Sequence, residues 1–242
     1  MELILLAHVV GDFYLQTDKI ADKKTKSLAY MLIHCLLYTF VMGIMFFLLK
    51  CKINQNILLM MLVFISHFGI DCLKQKFDGK NVRPKHIIFL VDQTIHILVL
   101  IIIMLIGNNM FNISIKHNFM LQGNCLNKYI FAIIAFLICW KPAGIFVSLL
   151  FQCISEKTGE IKETKEAKIG FRIGVLEREI ILILGLMGQF GAIGFVLTAK
   201  SLARFRQLED KEFAEKYLIG TLLSTFIAII CVAIYKLIDF KK

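Results

Sequence analysis

Apolar residues run along this chain in long, nearly unbroken stretches separated by short polar ones. Six such stretches are Ser27–Leu49, Gln55–Leu73, His86–Ile106, Lys128–Ile154, Arg172–Lys200 and Tyr217–Ile238. A helix of about 20 apolar residues crosses a bilayer, so each predicts a membrane span. Met1–Gln16 is also apolar and helical in pattern, but it is too short for an upright span and predicts a half-inserted or re-entrant helix. Between the spans lie a charged loop (Thr17–Lys26), a basic loop closed by Pro84 (Lys74–Lys85) and a polar, Asn-rich loop (Gly107–Asn127). Pro84 suits the first turn of the helix that follows. Trp140–Gly144 interrupts the fourth span, where Pro142 predicts a kink. Ser155–Lys168 alternates Glu and Lys and predicts a solvated amphipathic helix. Gly185, Gly188, Gly191 and Gly194 recur every three residues in the fifth span, a spacing that permits close helix contact. The expected fold is an all-α, polytopic membrane helix bundle of about six transmembrane helices plus the N-terminal half-inserted helix. An N-terminal membrane domain (1–107) and a C-terminal one (128–242) are expected.

Composition agrees: 58% of the residues are hydrophobic and 19% charged, with 2 Pro. Soluble domains are about 45–50% apolar and about 25% charged, so a soluble enzyme, a disordered chain and a disulfide scaffold are all excluded. The net charge of +10 does not point to nucleic acid, because the basic residues sit in short loops between spans. The loops on the side of Thr17–Lys26 hold 17 Lys and Arg and the opposite loops hold 9, which makes the first side cytoplasmic. The five basic residues of Lys200–Lys216 conflict with that assignment. Either the glycine-rich segment is re-entrant or those residues have a role of their own. The seven Cys are odd in number and form no C-x-x-C pair, so neither a disulfide framework nor a cysteine zinc site is indicated. The first helix lacks a basic leader and a cleavage site and is not read as a signal peptide.

The candidate chemistry lies in the first four apolar helices. They carry His8, Asp12, His34, His67, Asp71, Asp92 and His96, although burying ionisable groups in hydrocarbon is costly. Three of the groups are i,i+4 pairs, which an α-helix places on one face. Measured from the basic-rich side, all seven fall roughly 3–12 residues deep, about 5–18 Å at 1.5 Å per residue. Helices of alternating direction thus bring them to a common level. Imidazole with carboxylate suits zinc or another divalent metal, as one or two ions. Asp12 and Asp92 are the candidate catalytic carboxylates, Gln16 and Gln93 candidate donors to carboxylates, and Lys74 a candidate holder of an anionic substrate group. The plain alternative is a set of interhelical His–Asp hydrogen bonds, worth about 0.6–2 kcal/mol each in a membrane. His86 and His117 lie near loops and receive no role. In the C-terminal half, Glu177, Arg178 and Glu179 are expected at the interface, and Gln189 is expected to pack mid-span through hydrogen bonds. Lys200, Arg204, Arg206 and Glu209 are expected in a basic stripe against lipid heads.

The strings His8–Gln16, His67-Phe68-Gly69-Ile70-Asp71 and Asp92-Gln93-Thr94-Ile95-His96, with His34 between the first two, resemble a bacterial family of multi-pass membrane proteins, domain of unknown function 3307. The family pattern is H-x-x-x-D-F-x-L-Q, a span with His, H-F-x-x-D and D-Q-x-x-H. The resemblance covers roughly residues 2–105, and Leu176-Glu177-Arg178 and Ala199–Phe205 look like segments of longer members. It implies a bacterial cytoplasmic membrane but no agreed activity. By analogy with other membrane families bearing intramembrane His and Asp, the leading expectation is a metal-dependent hydrolase of a lipid or phosphate-containing substrate. A divalent-metal or proton transporter and a non-catalytic membrane partner or sensor are the alternatives. Membrane lipids are the expected partners, a homo-oligomer is compatible with the sequence, and nucleic acid is not expected.

Overall fold

The computed structural model describes residues 2–24, 27–49, 51–78, 84–111, 124–158 and 165–239, all helical apart from short connections. Five helices are long and apolar enough to cross a membrane: Leu28–Leu48, Ile53–Phe77, Lys85–Phe111, Lys128–Ile154 and Lys211–Ile238. They mark an integral membrane protein. The chain forms two compact units, Met1–Ile130 and Phe131–Lys242.

Unit 1 begins with α1 (Glu2–Val9), which continues into one π-helical turn (Val10–Tyr14). Leu15 N donates to Val10 O at 3.0 Å, the i to i+5 bond that defines this widened turn. The short helix packs on α3 (Leu28–Leu48). The contact is close at Gly11, where a Cβ would lie 2.9 Å from Tyr38 Cδ2. The expected loop at Thr17–Lys26 instead contains α2 (Asp18–Lys24). Lys23 and Lys24 in its last turn complement the helix dipole. α4 (Ile53–Asp78) carries Lys74 on its last turns, beyond the expected helix end, and α5 (Lys85–Phe111) starts directly after Pro84. Of the two other expected loops, residues 79–83 and 112–123 lie outside the described residues. α3, α4 and α5 pack in chain order around a core that includes Tyr38, Met42, Phe46, Leu59, Val63 and Leu100. Their outer faces are apolar, with Phe40 61% exposed, while His34, His67 and His96 are buried. Apolar outside and polar inside is the arrangement expected where the surrounding solvent is hydrocarbon.

Unit 2 takes up the rest of α6 (Asn124–Trp140), then α7 (Pro142–Thr158), α8 (Lys165–Leu186), α9 (Phe190–Ala203), a 3₁₀ turn (Phe205–Glu209) and α10 (Lys211–Asp239). The interruption expected at Trp140–Gly144 falls at Lys141, and Pro142 opens α7 at the position where its missing N–H costs nothing. Of the amphipathic helix expected at Ser155–Lys168, residues 155–158 end α7, residues 165–168 open α8, and residues 159–164 lie outside the described residues. The stretch expected as the fifth span, Arg172–Lys200, is broken. α8 ends at Leu186, Gly188 adopts φ +75, and α9 restarts at Phe190. Left-handed backbone is accessible to glycine at no steric cost, so this one glycine permits the break. α8 and α10 pack closely over Ile181, Leu182, Ala228 and Val232.

Candidate metal centre

Five elements of unit 1 deliver the seven His and Asp, and all seven are buried. α3 gives His34, α4 gives His67 and Asp71, α5 gives Asp92 and His96, α1 gives His8 and the π turn gives Asp12. The i,i+4 pairs on the α-helices stay together: His67 Nε2 is 4.0 Å from Asp71 Oδ2 and His96 Nδ1 is 3.5 Å from Asp92 Oδ1. His8 and Asp12 diverge, because the extra residue of the π turn re-aims Asp12 toward α3.

At the centre, His34 Nε2 and His67 Nε2 face each other at 3.1 Å. Asp12 Oδ1 lies 3.3 Å and Asp71 Oδ2 3.5 Å from His34 Nε2. Ligands at 2.0–2.2 Å around a tetrahedral zinc would be roughly 3.3–3.6 Å apart, so these separations are those of a ligand set. Asp12, His34 and His67 form one metal-capable group, here termed the inner group. Cys35, His67 and Asp71 form another, and Asp71, Asp92 and His96 a third, the outer group. Without an ion, one N–H···N bond could join the two imidazoles; a cation between them would engage both nitrogens and the nearby carboxylates together.

The surroundings prepare the ligands. His96 Nδ1 donates to the Asp92 backbone carbonyl at 2.9 Å, which fixes the tautomer and leaves Nε2 as a buried lone pair with no hydrogen-bond partner. The Gln93 amide donates to Asp12 Oδ2 at 2.8 Å and to Asp92 Oδ2 at 3.2 Å. Its Oε1 accepts from His8 Nε2 at 3.2 Å, so His8 Nδ1 is free to accept from Tyr38 Oη at 3.0 Å. His8, expected as a ligand, thus has both nitrogens engaged and stands behind Asp12, outside the three groups. Tyr38 also stacks on His67 with ring centroids 3.8 Å apart. A cavity of about 10 Å³, the size of a single water or ion, lies between His67, His96, Tyr38 and Ser66.

Two lysines reach the carboxylates from the more exposed side. Lys74 Nζ is 2.7 Å from Asp92 Oδ2 and Lys24 Nζ is 3.3 Å from Asp71 Oδ2, with the lysine side chains 25% and 15% exposed. Lys74 therefore neutralises a carboxylate of the cluster. Gln93 joins the cluster as expected, whereas Gln16 Oε1 is buried without a hydrogen-bond partner and bonds to none of the seven. Sequence reasoning missed Tyr38, Lys24 and Cys35. Tyr38 was within reach, since it is four residues from His34 on one helical face. Lys24 was hidden in an expected loop, and Cys35 lacked a cysteine partner.

Unit 2 has a polar centre of another kind. Glu177 and Arg178, expected at the interface, are buried, Arg178 to 1% exposure. The helix interruption at Lys141 leaves carbonyls at the end of α6 without helical donors, and Arg178 Nε donates to Cys139 O at 2.7 Å. Its Nη1 donates to Ser224 Oγ at 3.1 Å. Lys200, expected against lipid heads, bonds Glu177 Oε2 and Thr221 Oγ1, the latter at 2.8 Å. Gln189, expected to pack mid-span, is exposed at the break before α9.

Residues 1–122, half of the chain, match the family described as "Protein of unknown function (DUF3307)", and the chain belongs to that family. The matched stretch holds all seven His and Asp. No curated protein and no solved structure matches the chain.

Proposed function

We propose that this DUF3307 member, a protein of the bacterial cytoplasmic membrane, holds a divalent ion in its inner group and hydrolyses a lipid or phosphate-containing substrate reached from the cytoplasmic side. The observation that carries this reading is the pair of imidazole nitrogens 3.1 Å apart with the Asp12 carboxylate 3.3 Å away. Two imidazoles with carboxylates favour zinc. An ion there would polarise a phosphoryl or carbonyl oxygen and make a water acidic near neutral pH. Asp12, His34 and His67 hold it, with Asp71 beside them. Gln93, itself bonded to His8, keeps Asp12 oriented. Asp92 Oδ1, buried and without a hydrogen-bond partner, is placed to hold a proton in transit. Lys74 keeps the other Asp92 oxygen neutralised and is positioned for an anionic substrate group. Membrane lipids cover the exposed apolar faces, and self-association is open to test by size in detergent. The test is elemental analysis of the purified chain beside His67→Ala, followed by turnover of phospholipid and phosphomonoester substrates. One ion per chain, lost together with turnover in the variant, supports the reading; wild-type protein that stays metal-free after incubation with zinc sinks it.

Transport is the second reading, favoured by the break between α8 and α9 and by the buried Arg178–Glu177–Lys200 centre. Discontinuous helices and intramembrane charges are what ion pathways are built from. Metal or proton flux in proteoliposomes without turnover would select it.

A further inference from the structure

The three carboxylates of the cluster are not equally free. Asp12 is held by the Gln93 amide and His34. Asp71 and Asp92 each carry an ammonium as well. Both belong to the outer group with His96, and Asp92 Oδ1 and His96 Nε2 are buried without hydrogen-bond partners. Building on the metal reading above, we infer that the outer group Asp71–Asp92–His96 is a second, weaker divalent-ion site, kept closed by Lys24 and Lys74.

Two physical terms weaken it. An ammonium and a divalent ion compete for the same carboxylate, so the lysines must withdraw before an ion gains full coordination. Their partial exposure allows that, since a lysine can swing its head toward water while its stem stays packed. Asp71 also approaches both His34 and His67 of the inner group, so a second ion would share it and be repelled by the first. The two lysines thus set an order: inner site first, outer site only at high ion concentration.

The test is a calorimetric titration of the chelator-stripped full chain in detergent with Zn²⁺, then with Mn²⁺. Wild type is expected to take one ion tightly and a second at least about tenfold more weakly. In Lys24→Met/Lys74→Met the second ion should tighten by about tenfold or more while the first is unchanged. In Asp92→Asn the second step should vanish and the first remain. Should the double lysine variant fail to fold, wild type and Asp92→Asn still decide the matter. Two equal steps in wild type, a second step that the lysine variant does not move, or loss of the first step in Asp92→Asn each overturn the inference and leave the inner ion standing. No binding by wild type removes the metal reading and this inference together.

Discussion

The two polar centres answer the same physical problem in opposite ways. Unit 2 sets Lys200 on Glu177 and gives Arg178 a backbone carbonyl and the Ser224 hydroxyl, so each of these cations has a hydrogen-bonded partner. Unit 1 sets three carboxylates, Asp12, Asp71 and Asp92, beside two lysines and four imidazoles, and leaves Asp92 Oδ1 and His96 Nε2 buried without hydrogen-bond partners. A buried, hydrogen-bonded ion cluster can serve the fold alone, but a buried excess of acceptors calls for a cation. What separates the two centres is that, among the described residues, the metal-capable groups of imidazole and carboxylate all lie in unit 1.

The contrast can be broken at either centre. The largest effect is expected from His67→Ala or Asp12→Ala, which should abolish stoichiometric metal on elemental analysis while Arg178→Met retains it; equal metal in all three would erase the distinction. Arg178→Met should instead cost stability. Removing one partner from a buried charge cluster costs about 3–5 kcal/mol, visible as a lower thermal midpoint in detergent at unchanged metal content. Gln93→Leu frees both carboxylates it holds and should weaken metal binding about 10–100-fold in a titration without unfolding the protein. Gly188→Ala forces a Cβ into left-handed backbone and should cost about 1–2 kcal/mol of stability with metal affinity untouched. The smallest change is expected from Tyr38→Phe, which keeps the stack on His67 and loses only the bond to His8. About 0.5–1.5 kcal/mol, or up to roughly tenfold in metal affinity, should register.

The spans on α3, α4, α5 and α10 were legible because about 20 apolar residues in a row have one stable form in hydrocarbon. Arg172–Lys200 was misread as a single span for the same reason, since hydropathy does not register the direction a glycine turns the backbone. His34, His67, Asp71, Asp92 and His96 could be assigned to one level from spacing and depth, because an α-helix converts residue number directly into height and face. His8 could not be resolved from Asp12 that way, since the π turn between them changes that conversion.

Residue order alone thus determined a helical membrane protein with imidazoles and carboxylates at a common depth, because local hydrogen bonding fixes rise and periodicity along each helix. Which atoms meet was decided only by tertiary packing. The 3.1 Å approach of two nitrogens, the lysines on Asp71 and Asp92 and the burial of Arg178 depend on how neighbouring helices rotate against one another, and that rotation is set by side chains far apart in the sequence.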